Sequence, residues 1–479
     1  MNHYPDLGLL IDGEWCRPAG TIAVLNPADE SELARLPVAG SIQLEAALAA
    51  AERGFAEWRK TAPDKRARVI AGAAALLRQR LDAVAIASTL EQGKPIAQSR
   101  LEVQRACEII EWDANEGRRI YGRIIPSAPG MRHSVIREPI GPVAAFSPWN
   151  FPVSAPARKI AGALAAGCSV ILKASEETPA GAVQLAQCFI DAGLPAGVLN
   201  LVFGNPVEIS RVLISDARIR LLTFTGSVPV GKQLASLAGA NMKPAIMELG
   251  GHGPVIVCAD ADPEATAAAS VRIKVRNAGQ VCVAPTRFFV HETIYERFVA
   301  EVARCAEAIT VGDPTDPGCV LGPLANHRRL ESVEDLVRDA LDKGAVLVAG
   351  GRRLDGPGYR FPLTILADVP FRARAMTEEP FGPLMLIVRF SDLDDAITQA
   401  NALPFGLAAY AFTDSAEAVE RLSSDLECGN LSINHFVASL AETPFGGVKE
   451  SGYGREGGIE GLGCYTIAKN ISHQTRVYA

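Results

Sequence analysis

Residues 141–173 read GPVAAFSPWNFPVSAPARKIAGALAAGCSVILK, and the class of fold can be inferred from them. An apolar run at 142–147 is followed by a helix-like segment at 154–166 and by a second apolar run at 169–173. Two short buried strands joined by a helix form a βαβ unit, and strands joined in this way lie parallel. The stretch therefore predicts an α/β fold built on a parallel sheet.

The alternation of strands and helices continues toward the carboxyl end. It starts afresh after Glu248, so we predict two doubly wound α/β domains, with helices covering both faces of a mostly parallel sheet. Beyond residue 173 the predicted helices are 179–192, 206–215, 229–240 and 262–277, and the predicted strands are 199–203, 221–224, 254–258 and 286–291.

Segments of a different kind flank these domains. Apolar residues recur at helical spacing in 41–60 and in 64–90, so the chain is predicted to open with helices. Residues 118–137 consist of polar and β-branched pieces interrupted by glycine and proline, which predicts an extended arm. The stretch from Thr443 onward is rich in glycine and ends in a β-prone segment at 464–471.

Length and composition favour a multidomain protein that acts on small molecules. The chain has 479 residues, and at about 150 residues per domain we expect two or three domains. Hydrophobic residues make up 48% of the chain and charged residues 21%, which are ordinary globular proportions. A formal net charge of -7 disfavours nucleic acids and anionic membranes as the main partners.

The cysteine pattern and the amino terminus favour the cytoplasm. Ten cysteines are scattered without a CxxC pair, so we expect reduced thiols, no disulfide framework and no metal site. Residues 1–14 lack a basic region followed by an apolar run, so no signal peptide is expected. The apolar stretch at 160–172 is too short, and too interrupted by glycine, to span a bilayer.

A glycine turn marks a candidate anion site. Gly226 and Ser227 follow a predicted strand and precede a predicted helix. Backbone amides at such a helix start favour a pyrophosphate, although a glycine in this position is also common for structural reasons alone. Lys173 and Glu176 follow the end of another strand, where a doubly wound sheet presents its ligand contacts, but they could equally form a surface pair.

Three residues carry candidate chemistry, each with a simpler alternative. Cys282 lies between a predicted helix and a strand, where its thiol could face a cleft or be inert and buried. Glu248 ends an apolar strand before two glycines and is either a general base or a cap. Asn150 lies between two prolines and offers two amide N–H donors to an oxyanion, unless this turn serves only to bury Trp149.

In this order and spacing, the motifs that contain these residues resemble the aldehyde dehydrogenase superfamily over essentially the whole chain, including EPFGP at 379–383 and PFGGVK at 444–449. The resemblance implies a Rossmann-type cofactor domain, a catalytic domain and a small β oligomerisation arm. It also implies that Cys282 is the nucleophile, Glu248 the general base and Asn150 an oxyanion donor. The implied cofactor-binding residues are Lys173, Glu176, Gly226, Ser227, Glu379, Phe381 and Trp149.

The reaction implied by this resemblance oxidises a small aldehyde to its acid with NAD+ or NADP+, through a thioester on Cys282. A carboxylate accepts hydrogen bonds from a free 2′-hydroxyl but repels a 2′-phosphate. Glu176 therefore favours NAD+, while Lys173 keeps NADP+ possible. Glu248 disfavours the CoA-acylating branch, which typically lacks this base.

Within the superfamily, the chain looks most like the succinate-semialdehyde and 2-oxoglutarate-semialdehyde dehydrogenases. In that branch two arginines and a hydroxyl bind the distal carboxylate, and they correspond here to Arg158, Arg276 and Ser439. Guanidinium groups bind carboxylates in a bidentate way, although each arginine could instead pair with a neighbouring carboxylate. The loop at 435–438 matches no single specificity, so glutarate semialdehyde and uncharged small aldehydes stay open. Ala284 stands where some relatives carry a second cysteine, so no disulfide switch is expected.

The resemblance also implies a domain organisation. Residues 1–117 and 138–247 form the cofactor-binding domain, 248–442 the catalytic domain, and 118–137 with 443–479 an oligomerisation element of a homodimer or homotetramer. Unpaired strand edges favour such pairing between chains. Two other classes remain open at this point: a cofactor-independent thiol hydrolase, and a catalytically silent binding protein on the same fold.

Overall fold

The computed structural model describes residues 4–474, which contain the predicted alternation of strands and helices. None of the helices in these residues is long and apolar enough to cross a membrane. The strands are β1 Leu9–Ile11, β2 Glu14–Cys16, β3 Thr21–Leu25, β4 Glu32–Pro37, β5 Arg123–Ile125, β6 Met131–Pro139, β7 Val143–Phe146, β8 Val170–Lys173, β9 Leu199–Val202, β10 Leu221–Thr225, β11 Ala245–Glu248, β12 Gly253–Val257, β13 Pro285–His291, β14 Val346–Ala349, β15 Thr364–Ala367, β16 Leu384–Phe390, β17 Phe405–Gly406, β18 Ala408–Phe412, β19 Asn430–Ile433, β20 Val448–Lys449, β21 Gly452–Tyr453 and β22 Thr466–Gln474. The helices are α1 Ser41–Trp58, α2 Pro63–Gln79, α3 Leu81–Gln92, α4 Ile96–Glu116, α5 Ser154–Ala166, α6 Pro179–Asp191, α7 Pro206–Ser215, α8 Val228–Ala240, α9 Pro263–Lys274, α10 Tyr295–Glu307, α11 His327–Asp342, α12 Arg374–Thr377, α13 Leu393–Asn401, α14 Ala416–Asp425 and α15 Gly458–Cys464, with single 3-10 turns at Gly117–Arg119 and Arg276–Gly279.

The eight-stranded sheet brings four of the predicted site loops to one edge. Its parallel centre has the order β9-β8-β7-β10-β11, with β1 and β2 antiparallel at one side and β21 antiparallel at the other. Phe146 of β7 lies beside Lys173 of β8, and Thr225 of β10 lies beside Glu248 of β11. The chain order reverses between β7 and β10, and doubly wound sheets bind ligands at the carboxyl ends of strands at this point.

The seven-stranded sheet brings in Cys282. Its order is β14-β15-β16-β13-β12-β18-β19, and all neighbours are parallel except β14 and β15. The first residue of β13, Pro285, pairs with Gly253 of β12. Because only residues 249–252 separate the end of β11 from the start of β12, Glu248 in the first sheet stays close to the amino ends of these central strands.

Helix α5 shows how the local sequence builds one wall of the site. Alanine, the residue with the highest helix propensity, recurs along the whole helix, which spans Ser154–Ala166 as predicted. The helix ends at Gly167, whose φ of 98° is left-handed and costs glycine no steric strain. Nearly all of its residues from Pro156 onward are buried, so α5 is fixed against the core and its first turn can hold Arg158 in a defined position.

The predicted arm forms a separate three-stranded sheet with the end of the chain. Strands β5 and β6 form an antiparallel hairpin, and β22 pairs antiparallel with β6 from Met131 opposite Gln474 to Pro139 opposite Thr466. The β-prone tail predicted at 464–471 is thus mostly strand. Strand β21, which lies inside the predicted element 443–479, joins the eight-stranded sheet instead.

The prediction that the chain opens with helices is wrong. Strands β1 to β4 precede α1, and β1 adds to the edge of the first sheet beside β9. Strands β1 and β2 are three residues each, too short to show an alternating pattern. The helix predicted at 64–90 is two helices that meet at Arg80, and α4 was not predicted, since buried Glu102 and Asp113 interrupt its apolar stripe.

Candidate active site

A cavity of about 500 Å³ collects the three predicted catalytic residues. Asn150, Glu248 and Cys282 all line it, although they come from three different loops of two different sheets. The predicted substrate residues Arg158, Arg276 and Ser439 line the same cavity, as do Gly226, Ser227, Glu379, Phe381 and Trp149 from the predicted cofactor set.

A left-handed turn delivers Cys282 to this cavity. Asn277, Ala278 and Gly279 have φ values of 49°, 51° and 70°, a run that only Gly and, more rarely, Asn adopt readily. A Cβ on Gly279 would lie 2.1 Å from the carbonyl oxygen of Gly382, so glycine is required there. Because backbone strain of this kind persists only where the surroundings enforce it, the turn fixes the approach of Cys282 to the site.

Asn150 is held by the same turn. Its side-chain Nδ2 donates a hydrogen bond to the backbone carbonyl oxygen of Gln280 at 3.0 Å. The backbone carbonyl oxygen of Asn150 accepts a hydrogen bond from Nδ2 of Asn277, also at 3.0 Å. A primary amide has two N–H donors, so one stays available after the bond to Gln280. The loop after β7 and the loop before β13 are therefore locked together two residues from the thiol.

Glu248 faces the thiol from the end of β11. Its side chain is 3% exposed, and its Oε1 has no hydrogen-bond partner in residues 4–474. Burial raises the pKa of Glu248 to about 8, and the negative charge of Glu456 adds to this shift. The positive charge of Lys159 opposes it. A carboxyl group with a pKa near neutrality is suited to accept a proton from water.

Cys282 and Glu248 influence each other strongly. Burial, followed by the negative charge of Glu248, raises the pKa of the Cys282 thiol well above its ordinary value. The thiol is thus protonated at neutral pH in the absence of ligands. Since the thiolate is the reactive form, its proton must be accepted by a neighbouring group or be displaced when ligands bind.

The turn after β10 fits a dinucleotide pyrophosphate. A Cβ on Gly226 would lie 2.4 Å from the ring of Phe224, so a residue with a side chain does not fit here. No side chain at this position therefore shields the backbone from a ligand. Ser227 caps α8 without a side-chain hydrogen bond, which leaves the amides of the first helical turn free for an anion. The 13 residues of α8 supply the aligned peptide dipoles that favour negative charge there.

Lys173 and Glu176 lie at the same sheet edge, outside the cavity that contains Cys282. Their side chains form an ion pair with Nζ and Oε1 2.5 Å apart, and the backbone N–H of Gly204 also donates to Glu176 at 3.2 Å. The two residues thus form a pair, as one of the two interpretations of the sequence expected, but the pair is largely buried, with side chains that are 8% and 21% exposed. Both polar groups are thus fixed where an adenosine ribose would meet a doubly wound sheet.

The remaining cofactor candidates surround the other end of the cavity. Oε1 of Glu379 accepts a hydrogen bond from the backbone N–H of Gly251 at 3.0 Å, and a Cβ on Gly250 would lie 2.3 Å from the same carboxylate. Trp149 and Phe381 pack edge to face with their ring centres 5.5 Å apart. The two rings supply an apolar surface for a nicotinamide, and the fixed carboxylate of Glu379 supplies hydrogen-bond acceptors for the attached ribose.

At the substrate end, the structure joins two residues that the sequence could only suggest. Nη2 of Arg158 donates a hydrogen bond to Oγ of Ser439 at 2.8 Å, while Nη1 is buried and has no partner in the described residues. Arg276 stacks over the ring of Phe151 at 5.6 Å from the ring centre. Neither arginine forms an ion pair within residues 4–474, so the alternative of a structural pair with a neighbouring carboxylate is wrong for both.

Sequence reasoning missed two buried ion pairs that support the site. Lys159 donates to Glu456 at 2.5 Å and to Thr223 at 3.1 Å, and the charges of this pair act on Glu248. Lys94 pairs with Glu102 beside the loop that carries Asn150. Glu456 lies in the glycine-rich stretch after Thr443 and Lys159 on the predicted helix 154–166, but nothing in the sequence pairs them. Glu102 belongs to α4, which was not predicted.

A third guanidinium at the substrate end was also missed. Arg105 projects from α4 and lines the cavity together with Arg158 and Arg276. It belongs to the helix that the apolar pattern did not reveal, so no signal in the sequence pointed to it.

Comparisons with known proteins agree with this geometry. Residues 15–471 match the profile of the Aldehyde dehydrogenase family, and the chain belongs to this family. It is 46% identical to the 4-(hydroxymethyl)benzenesulfonate dehydrogenase of Comamonas testosteroni, over 96% of this chain and 97% of that one. It is 41% identical to the NADP+ succinate-semialdehyde dehydrogenase of Escherichia coli K12, over 96% of both chains. The crystal structure of succinate-semialdehyde dehydrogenase from Burkholderia pseudomallei matches with a TM-score of 0.96 and 38% identity, over 98% of both chains.

The chain is therefore an oxidoreductase that acts on aldehydes with NAD(P)+ as acceptor. The predicted resemblance and the predicted α/β fold are confirmed. The cofactor-independent thiol hydrolase that the sequence left open is not supported, and the enzyme is not a silent binding protein.

Proposed function

We propose that the enzyme oxidises a small aldehyde with an anionic group at its far end, with succinate semialdehyde and 2-oxoglutarate semialdehyde as the first candidates. The observation that carries this proposal is the guanidinium of Arg158, whose Nη1 is buried without a partner in the described residues. A buried donor without an acceptor costs about 1 to 3 kcal/mol, which an anionic substrate would recover. The names of the Escherichia coli and Comamonas testosteroni relatives support this class, since one contains succinate and the other a sulfonate.

In the proposed reaction, the Cys282 thiol loses its proton to solvent as the ligands bind, and the thiolate then attacks the aldehyde carbon. Nδ2 of Asn150 and the backbone N–H of Cys282 donate hydrogen bonds to the oxyanion that develops, and each donor of this kind typically contributes about 3 to 4 kcal/mol. The slot formed by Trp149, Phe381 and Glu379 would hold the nicotinamide of NAD(P)+, which would supply the acceptor for the hydride that leaves this carbon. The acyl group is then held on Cys282 as a thioester.

Glu248 completes the turnover. Its carboxylate takes a proton from water while the water oxygen attacks the thioester carbon. The carbon–sulfur bond breaks, the sulfur regains a proton, and the carboxylic acid leaves. One aldehyde and one water thus yield one acid, and two electrons depart with the hydride. The unpartnered Oε1 and the raised pKa of Glu248 support this role.

We propose NAD+ as the preferred acceptor, with NADP+ still usable. The carboxylate of Glu176 is held by Lys173 and Gly204, so it cannot swing away from an approaching 2′-phosphate without breaking both contacts. The pairing with Lys173 offsets part of the negative charge, which supports some use of NADP+. The Escherichia coli relative is named for NADP+.

We also propose a homodimer or homotetramer assembled through the three-stranded sheet. Every residue of β5 is exposed, and Ile124, Ile467 and Ile471 expose apolar side chains on the same sheet. An exposed strand edge with apolar residues is prone to pairing with a second copy. Size-exclusion chromatography with light scattering at micromolar concentration checks this; a monomer mass at all concentrations is the contrary result.

The domain division stays a proposal as well: 1–117 with 138–247 for the cofactor, 248–442 for catalysis, and 118–137 with 443–479 for assembly. The division of the strands between two large sheets supports it, with β7 to β11 in one and β12 to β16, β18 and β19 in the other. Residues 1–3 and 475–479 lie outside the described part. We place the enzyme in the cytoplasm, which the ten unpaired cysteines support.

The proposed substrate class is tested by comparing kcat/KM for succinate semialdehyde, 2-oxoglutarate semialdehyde, glutarate semialdehyde and propanal. Arg158→Ala and Arg276→Ala should raise KM about 10- to 100-fold for the acidic aldehydes, the range of one charge-assisted hydrogen bond, and much less for propanal. Arg272→Ala, which removes an exposed arginine of α9, is the matched control. An equal change in KM for propanal and succinate semialdehyde would refute carboxylate recognition by these arginines.

A further inference from the structure

Three guanidinium groups from three separate elements line the substrate end of the cavity. Arg105 comes from α4, Arg158 from the first turns of α5, and Arg276 from the 3-10 turn before Cys282. Burial lowers the pKa of the Arg158 guanidinium, and the charges of Glu456 and Asp113 oppose this effect. The positive charge of Arg105 lowers the pKa further, so Arg105 and Arg158 are close enough for their charges to interact.

The carboxylates near these arginines are already balanced. Glu102 pairs with Lys94, and Glu456 pairs with Lys159, so each has its own cation. Burial raises the pKa of Asp113 to about 8, which keeps that side chain largely neutral at pH 7. Neither Glu102 nor Glu456 forms an ion pair with Arg158 or Arg276, so the charges of these two guanidinium groups stay available for a ligand.

Arg105 has only a weak partner. It forms an ion pair with Glu108 at 3.3 Å, and the two side chains are 39% and 43% exposed. Exposed pairs one helical turn apart contribute little, so the guanidinium can turn toward a ligand without a large loss. Arg158 and Arg276 are further restrained by the rings of Phe445 and Phe151, respectively.

We propose that Arg105 is a third anion-binding residue, and that the cavity selects aldehydes that end in a sulfonate over those that end in a carboxylate. This inference rests on the proposed anionic substrate class and makes it narrower.

The reason lies in the number and arrangement of acceptor oxygens. A carboxylate is planar and has two oxygens, which Arg158 with Ser439 and Arg276 can satisfy between them. A sulfonate has three equivalent oxygens in a pyramid, so it can accept from guanidinium groups that belong to three different elements. It is also ionised at any pH at which the enzyme is folded, so its negative charge is always available to these guanidinium groups.

The test uses two aldehydes of equal chain length that differ only in the anion, succinate semialdehyde and 3-sulfopropanal, together with uncharged propanal. Steady-state kcat and KM are measured for the full-length enzyme and for Arg105→Gln, Arg105→Lys and Arg100→Gln. Arg100 is the matched control, because it lies on the same helix, is exposed and pairs with Asp82 away from the cavity. Circular dichroism and urea unfolding of each preparation measure the folded fraction, so a loss of folded enzyme is corrected for.

The proposal expects the wild-type enzyme to have a kcat/KM about tenfold higher for 3-sulfopropanal than for succinate semialdehyde, the size of one charge-assisted hydrogen bond. Arg105→Gln should bring this ratio close to one mainly through KM, Arg105→Lys should restore part of it, and Arg100→Gln should leave it unchanged. A wild-type ratio at or below one overturns the proposal, and so does a ratio that Arg105→Gln does not alter. If kcat/KM of the wild-type enzyme for propanal equals its kcat/KM for both acidic aldehydes, the proposed class of anionic substrates is refuted instead.

Discussion

Arg158 donates a hydrogen bond from Nη2 to Oγ of Ser439 at 2.8 Å, across 281 positions of the sequence. The other terminal nitrogen, Nη1, is buried and has no hydrogen-bond partner in the described residues. It also ties helix α5 to the loop that closes the substrate end. Ser439 was predicted from the resemblance alone, and the structure gives its hydroxyl a specific partner.

Removal of the Ser439 hydroxyl should weaken binding of acidic aldehydes. Ser439→Ala leaves the Arg158 guanidinium free to rotate, so we expect KM for succinate semialdehyde to rise about 5- to 10-fold relative to propanal, the value of one hydrogen bond. Ser439→Thr keeps the hydroxyl and should stay near wild type. A KM ratio that is the same in Ser439→Ala and wild type would show that this contact does not serve the substrate.

The rate of thioester hydrolysis should rise with pH up to about 8. Burial raises the pKa of Glu248 to that value, and only its deprotonated form can accept a proton from water, so the rate falls about tenfold per pH unit below it. Stopped-flow measurement of NAD(P)H formation from pH 6 to 9 separates a first-turnover burst from the slower steady state. Glu248→Gln should retain a burst and lose the steady state; loss of the burst with an unchanged steady-state rate would contradict this assignment. Because Cys282 and Glu248 are coupled, the observed midpoint belongs to the pair.

Cofactor preference should depend on Glu176. In Glu176→Ser, the carboxylate that repels a 2′-phosphate is gone and Lys173 is released from its ion pair, so kcat/KM for NADP+ should rise relative to NAD+ by about 10-fold or more. The control is Glu177→Ser, since Glu177 is the adjacent carboxylate and pairs with Arg328 instead. An unchanged ratio between the two cofactors in Glu176→Ser would remove Glu176 from the ribose site.

The Lys94–Glu102 pair should act on catalysis through Asn150. Lys94 donates to the carbonyl oxygen of Asn150 at 3.0 Å, and Oε1 of Glu102 accepts from the backbone N–H groups of Val153 and Ser154 at 2.9 and 3.0 Å. Lys94→Met should lower the free energy of unfolding by about 3 to 5 kcal/mol, because it leaves a buried carboxylate uncompensated.

A double variant separates this positioning role from stability. Lys94→Met combined with Glu102→Leu removes both charges and should recover most of the unfolding free energy. Its kcat should still be down by about 100-fold with a smaller change in KM, because Asn150 is no longer held in place. Urea unfolding and steady-state kinetics on the same samples give both quantities; recovery of kcat together with stability would mean that the pair has only a structural role.

The sequence predicted the central parts of both sheets well because their elements follow local rules. Helices α5 and α7 were predicted to the residue, since each starts near a proline and ends where the pattern stops. The short strands β1 and β2 were not predicted, because each is stabilised by a partner strand and not by a pattern in its own three residues. Leu10 of β1, for instance, pairs with Leu201 of β9. Helix α4 escaped because tertiary partners make its buried carboxylates tolerable.

The amino-acid sequence is enough to identify the chemical groups that this protein has available: a cysteine, a glutamate and an asparagine in motifs of one enzyme family, with two arginines for an anion. Which of these groups meet, which donors lack a partner and which residues support them become visible in the folded chain. Arg105, Glu456 and the Lys94–Glu102 pair illustrate the difference, because their roles arise from burial and from contacts with distant segments. Those quantities are set by packing, and a one-dimensional pattern does not contain them.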